Sequence, residues 1–132
     1  MLQINLSDGS GSLIRWSELP SAYSASRTVD IWLPPGYETS RQPRPVLYCQ
    51  DGQNLFDPAL ANGGVDWGIH RALERLAQDE NLPLPIVVGV WNSPRRWPDY
   101  MPASPLASPA AAALLADFTR QQGSAPISDA YL

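Results

Sequence analysis

The sequence predicts an α/β fold, and three observations carry that prediction. Two short apolar segments, residues 45–50 and 86–91, read as strands. Between them Ile69, Ala72, Leu73 and Leu76 recur at helical spacing and line one face. The separation suits a right-handed strand–helix–strand crossover, which makes the two strands parallel.

Each element has a local reason. Ser12 to Leu19 reads as a first strand, followed by a serine-rich loop, SAYSAS. Residues 27–33 alternate, with Val29, Ile31 and Leu33 on one side and Thr28, Asp30 and Trp32 on the other. That period of two predicts a half-buried second strand. Pro34-Pro35-Gly36 ends it, because proline donates no ladder bond and glycine permits the turn. Residues 45–50 form the third strand. Asp66 suits the first turn of the helix as a cap, and Pro83 and Pro85 stop it. Ile86 to Trp91 is apolar on both faces, as an interior strand of a parallel sheet reads. Further on, Ser108-Pro109 opens a helix striped by Leu114, Leu115 and Phe118, and Gly123 closes it. Ser128 and Asp129 start another helix just before Leu132, which reads as a sign of truncation.

Composition places the chain in one class and removes others. With 132 residues, 44% hydrophobic and 17% charged, it suits one globular domain, residues 1–132. All nine basic residues are arginine, the net charge is −4 and the pI is about 4.7. No basic stripe exists, so nucleic acid is not an expected partner. The start, MLQINLSDGSGSL, lacks the charged and apolar regions of a signal peptide. No apolar run approaches the roughly 20 residues of a membrane span. One cysteine excludes an internal disulfide. The expectation is a cytoplasmic protein with no membrane contact.

The topology points to a ligand edge. In a parallel pair both strands end on the same side of the sheet, and open α/β sheets bind ligands along that side. The turn Gln50-Asp51-Gly52-Gln53-Asn54 and the loop Asn92 to Tyr100 therefore lie near each other. Asp51, Asn54 and Asp57 either touch substrate or hold the turn through bonds to backbone. Arg95 and Arg96 either grip an anion or form a solvated pair bridging to Asp99. Trp91, Trp97 and Tyr100 either wall a pocket or pack beneath the loop. Cys49 and His70 suit a buried strand thiol and a solvent-facing helical histidine rather than a nucleophile and base. Asp51, Asp57 and Asp66 match no calcium loop and no zinc spacing, so neither a metal nor another cofactor is expected.

The order VDIWLPPGY, PVLYCQDGQNLFD, VDWGIHRALERL and PIVVGVWNSPRRWPDYMP resembles the N-terminal half of the Putative esterase family, α/β-hydrolases of the esterase D and enterochelin-esterase type. The resemblance spans residues 26–102. It implies the N-terminal part of an α/β-hydrolase sheet, two strands and then a strand–helix–strand unit. It implies hydrolysis of a small-molecule ester by serine, an acid and histidine. The family's serine sits in a G-x-S-x-G elbow. No such motif occurs in these 132 residues, and GSGS at Gly9 to Ser12 has the wrong spacing. The expectation is therefore a chain cut before its elbow, with the nucleophile, acid and base beyond Leu132.

What the resemblance carries over is half of an oxyanion hole, the loop Asp51, Gly52, Gln53 and Asn54 with the Gln53 amide as donor. Asn92, Arg95, Arg96 and Tyr100 make the candidate substrate edge. Alone, the chain is expected to be inactive. It also implies that the 45–50 strand lacks a neighbour on one side, with Val46, Leu47 and Tyr48 open to self-association. Two alternatives stand beside the esterase reading: a non-catalytic module or hydrolase remnant that docks on a partner, and a small enzyme with a different chemistry that depends on His70.

Overall fold

The computed structural model describes all residues except Ser7, Asn81 and Leu132, and the side chains of all of these except Ala130 and Tyr131. The chain divides into two units. The first comprises Met1–Leu19 and Arg27–Asn92, the second Pro20–Ser26 and Ser93–Leu132.

Among the described residues, the first unit holds a five-stranded sheet and one α-helix. Its strands are β1 (Leu2–Asn5), β2 (Ser12–Leu19), β3 (Arg27–Leu33), β4 (Val46–Gln50) and β5 (Ile86–Val90), and its helix is α1 (Ile69–Glu80). The sheet order is β1-β2-β3-β5-β4. β4 and β5 are parallel, with Val46 opposite Ile86 and Gln50 opposite Val90. β5 pairs antiparallel with β3 on its other side. The strand–helix–strand reading thus holds, and β5 is interior as its two-sided apolar pattern requires.

Three expectations change. A strand, β1, precedes the two expected N-terminal strands and pairs antiparallel with β2. Its LQIN stretch is too short for periodicity to mark, and it exists by pairing along β2. The GSGS segment contributes to the turn between them, where Trp32 Nε1 donates to Ser10 O at 2.7 Å. β3 is buried on both faces rather than half-buried, with Asp30 and Trp32 among its most deeply buried residues. Asp30 is tolerated there because it is paired.

The third change concerns α1. Ile69 and Leu73 pack on the core formed by Leu13, Trp32, Leu55, Phe56 and Val87, but Leu76 is exposed. His70 takes the place beside them: it is 1% exposed, not solvent-facing, with ring centroids 5.7 Å from Phe56 and 6.4 Å from Trp32. Periodicity defines a stripe but not which flank meets the sheet, and an uncharged imidazole packs as an aromatic ring. Asp66, expected as a cap, instead forms a bidentate pair with Arg71 Nη2 at 2.9 and 2.8 Å.

β4 is an edge. Among the described residues its outer side has no partner strand in the sheet, and Val46, Leu47 and Tyr48 are 45%, 38% and 74% exposed. An apolar strand that reads as buried is here paired on one side only.

The second unit contains α2 (Arg96–Tyr100), α3 (Ala112–Gln122) and α4 (Ser128–Tyr131). α2 and α4 meet, and the Ile127 N–H donates to Pro98 O at 2.9 Å. Ser108 precedes a 3-10 turn, Pro109–Ala111, that runs into α3, and Gly123 ends α3 with a φ of 69°. The C-terminal end thus falls where glycine predicts it, whereas α3 itself begins at Ala112, and Ser108-Pro109 opens the preceding 3-10 turn instead of the helix. Among the described residues no helix is long and apolar enough to cross a membrane.

Candidate active-site turn

The turn after β4 is built by a left-handed residue and a close backbone approach. Asp51 has φ 55° and ψ 44° and leads into a 3-10 turn, Gly52–Asn54. Aspartate is among the few non-glycine residues that adopt this region, at a cost of order 1 kcal/mol. The Asn54 N–H donates to Asp51 O at 2.9 Å and the Leu55 N–H to Gly52 O at 3.2 Å. Neither closing bond uses the Gln53 amide. Gly52 lies directly on β5: a Cβ there would stand 2.5 Å from both the carbonyl carbon and oxygen of Gly89. Glycine serves here for proximity, since its φ is not in the left-handed region.

The loop after β5 clamps this turn. Asn92 Nδ2 donates to Asp51 Oδ1 at 2.8 Å, and the Asn92 N–H donates to Gln53 Oε1 at 3.2 Å. The two strand ends expected to share an edge do so through these bonds. Asn54 is spent elsewhere: its Oδ1 accepts the Asn62 N–H at 2.8 Å and its carbonyl the Trp67 N–H at 2.7 Å. These bonds tie the turn to the loop that leads into α1, which is the turn-holding role of Asn54. Asp57 accepts the Ala59 N–H at 2.8 Å. Asp51, Asp57 and Asp66 therefore serve three separate local bonds.

Beneath the clamp lies a charged cluster that the sequence reading did not single out. Asp30 is 1% exposed and accepts Arg15 Nε and Nη2, both at 2.8 Å, and Trp91 Nε1 at 2.9 Å. The bond to Asp30 raises the Arg15 pKa against the opposing effect of burial. The Arg15 guanidinium also stands 4.7 Å from the Trp91 ring centroid. The only hint in the sequence is an acidic residue within an apolar strand.

Arg95, Arg96 and Tyr100 belong to the second unit. Arg95 Nη2 donates to Ser124 Oγ at 2.6 Å. Arg96 lies 5.0 Å from the Tyr100 ring centroid and 5.6 Å from that of Trp97. Asp99 is buried and accepts the Ser93 hydroxyl at 2.5 Å. The structure joins Asn92 to the Asp51–Gln53 turn and gathers Arg96 with Tyr100 in a separate unit.

Burial raises the Cys49 pKa, which keeps the thiol protonated and unreactive. His70 is lowered from 6.5, first by burial and then by Arg71, against the pull of Asp8, whose Oδ2 is 3.4 Å from Nε2. Among the described residues its buried Nδ1 has no hydrogen-bond partner. A group with a lowered folded pKa binds fewer protons folded than unfolded, so the His70 contribution is constant above about pH 7 and lowers stability as pH drops below 6.5. Asp8, lowered mainly by its bonds from Ser10, adds its own loss only near and below 3.8. Urea midpoints are expected to be lower at pH 5.5 than at pH 7.5, with the difference reduced in His70→Phe. An unchanged difference in that variant would assign the effect to other groups.

A mixed sheet whose parallel pair delivers a polar turn to its carboxyl edge defines an α/β protein. The chain belongs to the Putative esterase family, whose model matches residues 21–112. Among solved structures, the crystal structure of an IroE-like serine hydrolase from Shewanella oneidensis is similar at 31% identity, with a TM-score of 0.49, over 69% of this chain and 25% of that one. This chain thus spans a quarter of the length of the structure it matches. No curated protein sequence matches it.

Proposed function

We propose that these residues form the oxyanion-hole side of a serine carboxylesterase-like hydrolase that acts on a small-molecule ester. The observation that carries the reading is the clamp of Asn92 on Asp51 and Gln53, which fixes a family turn at the carboxyl edge of β4 and β5. In this reading the Gln53 amide is one donor to the developing oxyanion, a contribution of about 10²–10³ in kcat once a nucleophile stands beside it. Asn92 contributes to the substrate edge beside this turn. The nucleophile, acid and base lie outside these 132 residues, which hold no G-x-S-x-G and a single, buried histidine. The 132-residue chain is therefore expected to turn over p-nitrophenyl acetate at the buffer rate and to take no fluorophosphonate adduct by intact mass. A serine adduct, with turnover lost in His70→Ala, would overturn the reading. Sequencing the encoding DNA past the codon for Leu132 tests the positive half, through a continuing frame that carries a G-x-S-x-G.

The exposed edge of β4 favours a second reading, a docking module without catalysis. β4 carries no charge and no proline, the usual guards of an edge strand. The isolated chain is expected to self-associate at micromolar concentration through this edge. A monomeric mass by light scattering, unchanged in Tyr48→Lys, would count against it.

A further inference from the structure

Away from the turn, a cleft of about 420 Å³ opens against α1. Its apolar wall includes Leu6, Leu13 and Phe56, and its polar wall includes Asp8, Asp57 and His70. Volumes of roughly 300–1,000 Å³, apolar lining and a few convergent polar groups are the marks of small-molecule sites. The charges in the wall do not cancel. Arg71 is bound through Nη2 to both oxygens of Asp66. Arg15, though it also feels Asp57, commits Nε and Nη2 to Asp30. His70 lies in the wall, 1% exposed, with Nδ1 lacking a partner among the described residues and Nε2 facing both Arg71 Nη1 at 3.2 Å and Asp8 Oδ2 at 3.4 Å. Burial keeps the imidazole neutral, so it offsets no carboxylate. Among the described residues two carboxylates, Asp8 and Asp57, therefore remain without a dedicated cation. The Asp8 side chain is 43% exposed and that of Asp57 half-buried, so both are reachable.

The geometry points to a binding site for a small organic cation, a primary ammonium on an apolar body, with Asp8 and Asp57 facing the charge and Leu6, Leu13 and Phe56 the body. Asp8 is held for this role by Ser10, whose N–H at 3.0 Å and hydroxyl both donate to Oδ1, leaving Oδ2 toward His70. Asp57 is held by its bond from the Ala59 N–H. Both anchors use one carboxylate oxygen, so an asparagine can keep the anchor and lose the charge.

The test titrates the 132-residue chain with phenethylamine hydrochloride, and in parallel with sodium 3-phenylpropionate, under backbone amide NMR at pH 7.5. Saturable shifts are expected for phenethylammonium at the amides of 4–6, 8, 56–57 and 70–71. A ligand of this size supports a Kd of about 1–10 mM. Phenylpropionate is expected to leave the same amides unmoved. Asp8→Asn and Asp57→Asn are each expected to weaken binding about fivefold, the scale of a partly exposed charge pair. No saturable shift with the amine, or equal responses to amine and acid, would overturn the site, and both readouts need only the wild-type chain. Shifts that persist undiminished in the double asparagine variant would also overturn it. The result is independent of ester hydrolysis, because no step at the Asp51–Asn54 turn enters the measurement.

Discussion

Gly52→Ala is expected to destabilise the first unit by about 3 kcal/mol, the upper range for forcing a group into a packed site. The added methyl would stand 2.5 Å from two backbone atoms of Gly89 and 3.0 Å from its Cα. Backbone atoms of an interior strand cannot swing aside as the end of a side chain can. Either β5 bends or the turn lifts off it, and both disturb the Asn92 clamp. Gly89→Ala is the informative comparison. Its Cβ would meet Leu55 Cδ1 at 2.7 Å and Gly52 Cα at 3.1 Å. The first of these is a flexible tip, so a cost of about 1–2 kcal/mol is expected. Urea denaturation of the three proteins checks the order wild type, Gly89→Ala, Gly52→Ala. A Gly52→Ala midpoint equal to that of wild type would mean that the turn does not rest on β5.

The same contact shows what the sequence can express and what it withholds. The strand–helix–strand unit is legible because local signals agree: apolar runs of strand length, a helical stripe, and prolines at the junctions. Parallel pairing then follows from chain length and handedness, and with it the shared edge of residues 51–53 and 92. Gly52 is legible as a member of the turn, but not the contact it makes, since Gly89 lies in a different strand. Leu2–Asn5 is silent because a four-residue strand owes its existence to its neighbour. The exposure of Val46, Leu47 and Tyr48 is likewise a property of sheet order, to which an apolar pattern is blind. His70 shows the limit from the other side. A polar letter on an amphipathic helix reads as solvent-facing, yet the neutral ring between Phe56 and Trp32 behaves as core.

Asp30→Ala tests the cluster that no sequence pattern signals. It removes the acceptor of three N–H groups at once, two on Arg15 and one on Trp91. Breaking one side of a buried pair costs about 3–5 kcal/mol, because the remaining charge stays without compensation. The Arg15 side chain is 18% exposed, so part of its guanidinium can turn to water, and a cost near 3 kcal/mol is expected. The penalty is one of an orphaned partner rather than of lost attraction. Arg15→Met with Asp30→Leu is therefore expected to cost less than Asp30→Ala alone, leaving only the Trp91 indole N–H without its acceptor. Additive losses in that cycle would contradict a coupled cluster. A second readout reaches the candidate ligand edge. Trp91 is held by Asp30 on its ring and by Thr28 on its backbone N–H, and Asn92 follows it directly. Loosening the indole should free Asn92 from Asp51, so the Asn92 side-chain amide resonances are expected to move toward solvent values in Asp30→Ala. An unmoved Asn92 amide would confine Asp30 to holding the sheet. A shifted one would make this buried carboxylate the support on which the candidate oxyanion turn is positioned.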